Sequence, residues 1–275
     1  MAPIPAQPAN GQEKERIIVF EDVAIAFDEN VVLDGVSFEL FHGETKMLLG
    51  VAGSGKSTIL KLAMGLLKPD RGRIHVLGEN VTEMKEEDLF ALRRRIGMVF
   101  QESALFDSFT VRENVAYRLI EEHVPPEETE RRVREALRFV ELEHTLDLFP
   151  AELSGGMRRR VAIARAIVTQ PEVLLYDSPT GGLDPVTSTT IIELIVKQRD
   201  VYHTSALLVT HRMQDAYTMA THYFDTQANR MRPLGPNKVN LESTFLLLRD
   251  GKVIFDGTTL ELAASRDEYI REYIS

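Results

Sequence analysis

Three absences narrow the possibilities before any motif is considered. None of the 275 residues is a cysteine, which excludes disulfides and thiolate metal sites. Apolar runs such as 173–176 and 246–248 are far shorter than the roughly 20 residues that span a bilayer. The N-terminal stretch MAPIPAQPANGQEKER lacks the apolar core of a signal peptide. We therefore expect a soluble, cytoplasmic protein, which can still sit on a membrane partner.

Basic residues are also in short supply. The chain has 32 Lys and Arg against 42 Asp and Glu, a net charge of −10. This balance argues against a general nucleic-acid-binding surface, so no nucleic-acid partner is expected. The Pro, Ala and Gln content of the first residues predicts a disordered tail over 1–15. The remaining length suffices for one large α/β domain or a core with an attached subdomain.

Against this background, residues 50–57 read GVAGSGKS and match the phosphate-loop pattern G-x-x-x-x-G-K-[ST] at every fixed position. An apolar strand-like run precedes the motif, and apolar residues at helical spacing follow it. Glycines let the backbone wrap a phosphate, and the N–H groups and helix dipole favour the anion. Chance gives this pattern in roughly one chain of this length in a hundred. The predicted nucleotide-binding residues are Gly50, Val51, Ala52, Gly53, Ser54, Gly55, Lys56, Ser57 and Thr58.

Within this loop, Lys56 would reach the β- and γ-phosphates and Ser57 would coordinate Mg²⁺. Asp177 ends the buried run VLLYD, where phosphate-loop NTPases hold Mg²⁺, usually through water. Gln101 follows another buried strand at the ligand-binding edge of an open α/β sheet. It could touch Mg²⁺ or the attacking water, although a surface glutamine is the plainer interpretation. His211 also ends a strand and either faces the γ-phosphate or is structural.

A second anion-binding helix start is predicted at LSGGM, residues 153–157. Ser154 is a good N-cap, and Gly155 and Gly156 expose N–H groups ahead of a helix predicted over 158–168. The arginines at 158–160 could add positive charge there, or form a solvated face, which is the plainer interpretation. Phe27, at the end of an early strand, either stacks on a purine ring or belongs to the core.

The order of elements predicts the domain plan. The opening is rich in strands, with a strand over 16–27 and two further short ones at 31–33 and 36–40. Strand signals vanish over 103–171, where helices are predicted at 111–122 and 127–140. Residues 221–243 are interpreted as a surface loop or irregular hairpin, and 244–255 as a hairpin around an Asp-Gly turn. A short helix and an amphipathic tail complete the chain over 258–275.

Taken together, these motifs resemble the nucleotide-binding subunit of an ABC transporter over residues 17–257. The resemblance is carried by GVAGSGKS, Gln101, LSGGM, VLLYD, GGLDP with Asp184, and VTH ending at His211. It implies an α/β fold: a RecA-like P-loop NTPase core over 16–257, with an N-terminal antiparallel β subdomain and an inserted helical subdomain at 103–171. The implied cofactors are ATP and Mg²⁺, and Phe27 becomes the adenine-stacking residue.

The resemblance also implies partners. Two such subunits, here expected as a homodimer, sandwich two ATP molecules head to tail beneath transmembrane permease subunits. Ser154, Gly155 and Gly156 then bind the γ-phosphate held by the other subunit.

A narrower resemblance concerns SALFDSFTVRENVAY at 103–117 and the ending SRDEYIREYIS. Both are similar to Mla-type, MCE-associated transporters. These carry phospholipid between bacterial membranes, with an MCE-type lipid-binding protein in the complex and the ATPase on the cytoplasmic face of the inner membrane. The alternatives are an importer ATPase for another small solute, an ATP-gated clamp with little turnover, and a non-transport ATPase acting on DNA or ribosomes. Acidic charge and the lack of a coiled-coil insertion count against the last.

The sequence departs from the family pattern at Ser178, where the general-base Glu normally stands. A serine is a poor base, and general base catalysis is worth typically 10²–10⁴-fold, or about 3–5 kcal/mol of barrier. We therefore expect tight Mg-ATP binding and ATP-driven dimerisation with slowed hydrolysis. His211, Asp184 or phosphate oxygens could compensate, a different partner subunit could carry the Glu, or the serine could be an engineered block. The catalytic candidates are Gln101, Asp177, Ser178, Asp184 and His211.

Two further departures are Arg212, where the family often has Asp, and a long stretch at 225–242. The latter is either a contact surface or a tolerated loop, the plainer interpretation because surface loops accept insertions.

Overall fold

The computed structural model describes residues 14–235 and 238–274. The predicted disordered tail over 1–15 therefore lies outside the described residues, apart from Lys14 and Glu15. The Glu15 carbonyl accepts a hydrogen bond from the His42 N–H at 2.8 Å, so the start of the described chain is tied to the neighbouring strand.

A six-stranded sheet forms the centre, in the order β12-β11-β3-β8-β7-β6. All neighbours run parallel except β12, which is antiparallel to β11. Every residue of β3 and β8 is buried, as expected for parallel strands covered on both faces. The strands are β3 (Thr45–Leu49), β6 (Ile96–Val99), β7 (Val173–Asp177), β8 (Ser205–Val209), β11 (Ser243–Arg249) and β12 (Lys252–Thr258).

A second, antiparallel sheet has the order β2-β1-β4-β5. It comprises β1 (Arg16–Phe27), β2 (Asn30–Phe41), β4 (Arg71–Val76) and β5 (Glu79–Asn80). The prediction of two separate strands at 31–33 and 36–40 is wrong, because β2 continues through both. Leu33 pairs with Ile25 and Val36 with Val23, so β2 has one extra residue between these pairs. Gly35, with φ of 72°, takes up this bulge.

The helices are α1 (Lys56–Ala63), α2 (Glu86–Arg94), α3 (Val111–Glu121), α4 (Pro126–Phe139), α5 (Gly155–Ile167), α6 (Pro185–Tyr202), α7 (Met213–Thr221), α8 (Thr259–Ala263) and α9 (Glu268–Ile274). Short 3₁₀ turns lie at Glu143–Thr145 and Pro150–Glu152. α3, α4 and α5 pack together as a helical unit. In the order of the chain, this unit is inserted between β6 and β7. None of the helices in the described ranges combines the length and apolarity needed to cross a membrane.

Residues 221–243 contain a hairpin, which agrees with the hairpin interpretation and not with the alternative of a surface loop alone. Its strands are β9 (His222–Asp225) and β10 (Arg230–Pro233). The hairpin rests on α6: the Met231 N–H donates to Glu193 Oε1 at 2.6 Å, and Phe224 is buried. Part of the long stretch is therefore packed structure.

The core lies on the two faces of the central sheet. Met47 and Leu49 of β3 join the cluster formed with the larger helices, while Leu48 joins the one formed with α1 and the antiparallel sheet. This division follows from the alternation of side chains along a strand. Because β3, β6, β7 and β8 are parallel, their carboxyl ends meet at one edge of the sheet. That edge is where an open α/β sheet binds ligands, and the motifs lie there.

Candidate nucleotide-binding site

The phosphate loop joins β3 to α1, and its glycines have backbone angles that other residues rarely adopt. Gly50, Gly53 and Gly55 have φ of 146°, 81° and 93°. Gly50 and Gly55 also have no room for a side chain. A Cβ on Gly50 would lie 2.5 Å from the Leu248 carbonyl, and one on Gly55 would lie 2.5 Å from Leu33 Cδ2. The loop is thus held between the sheet and the first hairpin with its N–H groups ahead of α1.

Lys56 lies across this loop with its ammonium group fully engaged. Nζ donates to the Gly50 carbonyl at 2.9 Å, the Val51 carbonyl at 2.7 Å and Ser54 Oγ at 3.2 Å. Burial lowers the pKa of Lys56, while the nearby Asp177 carboxylate opposes this shift. The lysine therefore lies inside the loop that is predicted to bind phosphate.

Two of the three predicted metal ligands are in contact. The Ser57 hydroxyl donates to Asp177 Oδ1 at 3.1 Å, although the residues are 120 positions apart in the chain. A carboxylate and a hydroxyl are the hard oxygen donors that Mg²⁺ accepts alongside waters and phosphate oxygens. The residues present therefore fit Mg²⁺. No hydrogen bond joins Gln101 to either residue in the described ranges.

Gln101 lies instead beside the loop that follows β7. A Cβ placed on Gly181 would lie 3.8 Å from Gln101 Cγ and 3.5 Å from Ser178 Cβ. Ser178 has φ of 47° and is buried; its N–H donates to the Val209 carbonyl at 2.9 Å. The structure thus brings Gln101 and Ser178 to one side of the site, with no carboxylate at position 178.

The other two catalytic candidates differ in what engages them. Asp184 is the N-cap of α6: Oδ1 accepts the N–H groups of Val186 and Thr187, and Oδ2 accepts the Thr187 hydroxyl. The bonds from Thr187, first of all, lower the pKa of Asp184. α6 consequently begins at Pro185. His211 is exposed just beyond β8, at the same edge as Asp177.

Phe27 is 45% exposed, which excludes the interpretation that it is a core residue. It pairs with Asn30 across the turn between β1 and β2. The same hairpin reaches the phosphate loop, because a Cβ on Gly55 would also lie 3.0 Å from the Val32 carbonyl. Phe27 therefore lies on a hairpin that contacts the phosphate loop.

The LSGGM residues at 153–157, called the signature from here on, stand apart from the phosphate loop. The Ser154 hydroxyl accepts the Met157 N–H at 3.2 Å, which starts α5 at Gly155 and not at residue 158 as predicted. Ser154 and Gly155 are exposed, and Gly156 packs against Thr187 at the start of α6. In the described parts of the chain, no hydrogen bond or ion pair joins these residues to the phosphate loop.

Two features near the site were missed by sequence reasoning: the contact of Tyr273 with the phosphate loop and the burial of Arg159. The Gly50 N–H donates to the Tyr273 hydroxyl at 3.0 Å, so α9 docks on the phosphate loop. Tyr273 is half-buried, and burial raises its pKa. Arg159 is 5% exposed, so the prediction of a solvated arginine face is wrong for this residue. The apolar spacing of the tail and the periodicity of α5 were the available signals.

This arrangement defines an ATPase cassette with a P-loop NTPase fold. The family model for ABC transporters matches residues 33–181. The chloroplastic protein TRIGALACTOSYLDIACYLGLYCEROL 3 of Arabidopsis thaliana is 38% identical over 96% of the chain and 75% of its own length. The methionine import ATP-binding protein MetN of Brucella abortus is 40% identical over 72% of the chain, which spans about half (53%) of that relative.

Two solved structures of ABC cassettes are similar to the chain over most of its length. The ATP-binding cassette MJ0796, a dimer bound to ADP and Pi, has a TM-score of 0.73 and 29% identity, covering 88% of the chain and 98% of that structure. The cbiO1 subunit from Clostridium perfringens has a TM-score of 0.77 and 28% identity, covering 94% of both chains. The chain belongs to the ABC transporter family. It is an ATP-binding, energy-coupling subunit whose cofactors are ATP and Mg²⁺.

Proposed function

We propose that the chain powers a membrane transporter for lipids, working as a head-to-tail homodimer beneath transmembrane permease subunits at the cytoplasmic face of a bacterial inner membrane. The observation that carries the ATPase part is the meeting of Ser57 with Asp177 at the mouth of the phosphate loop. The lipid part is supported by the 38% identity, along 96% of the chain, with a relative named after a galactolipid.

The dimer is supported by the position of the signature. Ser154, Gly155 and Gly156 present a capped helix N-terminus to solvent, and such an end favours anions. Since nothing in their own chain's phosphate loop engages these residues, a phosphate held by a second copy is the ligand we infer. MJ0796 is a dimer in its ADP- and Pi-bound structure.

The permease is proposed to dock next to the segment that follows Gln101. Exposed aromatic side chains lie there: Phe100, Phe106 and Tyr117 are 39%, 42% and 40% exposed. The ring centroids of Phe106 and Tyr117 are 5.0 Å apart. Contiguous apolar surface of this kind marks protein interaction sites. A partner seated here would sense movement of Gln101 through the intervening chain.

In this proposal the described residues divide the work at the nucleotide. Lys56 leaves its loop carbonyls for the β- and γ-phosphates. Ser57 and Asp177 would hold Mg²⁺, which would neutralise phosphate charge when bound. Gln101 and His211 orient the attacking water, and Phe27 stacks on the adenine. Ser178 offers no carboxylate to accept the proton from that water. We therefore expect the hydrolysis step to limit turnover.

The first experiment measures steady-state Mg-ATP hydrolysis by the purified protein, by Ser178→Glu and by Lys56→Ala. We expect Ser178→Glu to be at least tenfold faster and the natural chain to lie near the Lys56→Ala floor, since a general base is worth typically 10²–10⁴-fold. Rapid turnover by the natural chain, unchanged by Ser178→Glu, would show that another group activates the water.

The substrate requires the assembled transporter. The complex is purified through this subunit, reconstituted into vesicles and tested for ATP-dependent movement of a fluorescent phospholipid, with Lys56→Ala as the control. A methionine importer is the second candidate, because the chain is 40% identical to MetN over 197 residues. Methionine uptake without lipid movement would replace the lipid proposal and leave the ATPase assignment standing.

A further inference from the structure

Arg159 of α5 contacts two of the loops that carry catalytic candidates, the one with Gln101 and the one with Ser178. Arg159 Nη1 donates to the Phe100 carbonyl at 3.0 Å, and Nη2 donates to the Gly181 carbonyl at 3.3 Å. Phe100 immediately precedes Gln101. The Gly181 N–H donates to the Ser178 carbonyl at 2.9 Å, which closes the turn containing Ser178. The guanidinium therefore spans the gap between the two loops.

A charge at this position has a large desolvation cost. Arg159 is 5% exposed, and no carboxylate oxygen in the described ranges lies within 4.0 Å of it. Its Nε is buried without a hydrogen-bond partner. Burial lowers the pKa of Arg159, and the carboxylates of Glu102 and Asp177 oppose this shift from farther away. A buried charge without an ion-pair partner destabilises a fold, so simple packing does not explain the residue.

The same helix begins with the signature. Gly155 is four residues before Arg159, which is about 6 Å along the axis at 1.5 Å per residue. Because the helix is rigid over this distance, a displacement of its first turn also displaces Arg159. Arg165, six residues farther along, donates to the Ser103 and Ala104 carbonyls at 2.8 and 2.7 Å. The helix is thus attached to the chain on both sides of Gln101.

We propose that Arg159 is a positioning residue that couples the two nucleotide sites of the dimer. Through the signature, α5 would contact the nucleotide held by the partner subunit. Through Arg159, it sets the separation between Gln101 and Ser178 in its own subunit. Closure on one nucleotide thereby orders the water-orienting groups around the other. This inference rests on the proposed dimeric ATPase.

Arg160 provides a matched control. It stands on the same helix, its pKa is also lowered by burial, and its Nη1 donates to the Val140 carbonyl at 3.1 Å within the helical subdomain. Arg160→Gln thus removes an arginine–carbonyl bond of the same kind without touching either catalytic loop.

The experiment compares Arg159→Gln, Arg159→Lys and Arg160→Gln in the natural chain and in the Ser178→Glu background, where turnover is expected to be higher. Affinity for Mg-ATP is measured with a fluorescent ATP analogue; kcat and the Hill coefficient come from hydrolysis. We expect Arg159→Gln to lower kcat about tenfold or more, because small misplacements of catalytic groups are costly. Affinity should stay within twofold, and the Hill coefficient should fall towards 1.

Arg159→Lys should not restore kcat, because an ammonium lacks the planar fork that spans two carbonyls. Arg160→Gln should change kcat less than twofold. Thermal unfolding of each variant is recorded. If Arg159→Gln melts early, Arg159→Met, which fills the space without a buried charge, takes its place, since apolar replacements of buried charges are often tolerated.

Unchanged kcat and Hill coefficient in the Arg159 variants, or an equal loss in Arg160→Gln, would overturn the inference. These outcomes are distinct from failure of the proposed function. In that case the parent proteins themselves would not bind Mg-ATP or would not dimerise with it. If the parents do both and the Arg159 variants match them, the coupling role alone is rejected.

Discussion

Replacing Gly156 with Ala should destabilise the protein through one identifiable clash. A Cβ at this position would lie 2.4 Å from Thr187 Cγ2, whereas carbon atoms in contact prefer about 3.5–4.0 Å. Either α5 or α6 must therefore move by roughly 1 Å. Overpacking of this kind costs about 1–3 kcal/mol. In a chain of this size we expect the melting temperature to fall by roughly 2–4 °C per kcal/mol.

The chain offers both a control and a rescue. In Gly155→Ala the nearest atom to the new Cβ is Leu183 Cδ2 at 3.8 Å, an ordinary contact, so its melting temperature should stay close to that of the natural chain. Thr187→Ser removes the clashing methyl but keeps the hydroxyl that donates to Asp184 Oδ2 at 2.5 Å. Combined with Gly156→Ala, it should recover most of the lost stability.

The assay is thermal unfolding of the two single variants and the double variant, read as a double-mutant cycle. We expect a coupling energy of about 1 kcal/mol or more in favour of the double variant. A coupling near zero, or equal losses in Gly155→Ala and Gly156→Ala, would refute the steric argument. ATP hydrolysis by the rescued variant then tests the signature separately, because a new methyl group could also obstruct the partner's phosphate.

Three further outcomes are expected. Tyr273→Phe removes the hydroxyl that accepts the Gly50 N–H and should weaken ATP binding about 2–10-fold, the range of one net hydrogen bond, with kcat unchanged; unaltered affinity in a titration would show that the contact is incidental. Asp184→Ala should lower the free energy of unfolding by about 1 kcal/mol while Asp184→Asn preserves it, as for a helix N-cap, and chemical denaturation distinguishes them. Two arginines of α4 lower the pKa of Glu128 from 4.5 to about 2, so its stabilising contribution, present above pH 4.5, is lost as the pH falls towards 2. The difference in melting temperature between the natural chain and Glu128→Gln should accordingly shrink over that interval.

The residues predicted to face the nucleotide could be located from sequence because their patterns are local. The phosphate loop is a contiguous motif, and Asp177 and His211 each end an apolar run that can only be a strand in this context. Parallel strands bring such ends to one edge. The contact between Ser57 and Asp177 thus follows from topology, without knowledge of side-chain packing.

Other features depend on contacts between distant parts of the chain. Arg159 lies among charged neighbours, and only the packing of α5 beneath the segments at Phe100 and Gly181 makes it buried. The target of Tyr273 likewise depends on where the last helix folds back. The bulge at Gly35 could not be separated from a turn, because a glycine after an aspartate favours both.

The three hydrogen bonds of Lys56 within its own loop bear on ligand discrimination. An ammonium group has three donors, and here each already has an acceptor, so an incoming anion gains only by offering better ones. A lone phosphate or a nucleoside monophosphate exchanges few acceptors and leaves some loop oxygens without their donor. A triphosphate presents charged oxygens from adjacent β- and γ-groups, and charge-assisted hydrogen bonds are stronger than those to neutral carbonyls. The loop carbonyls thus compete with the ligand for Lys56. We expect this competition to weaken binding of a lone phosphate or a nucleoside monophosphate more than binding of a triphosphate.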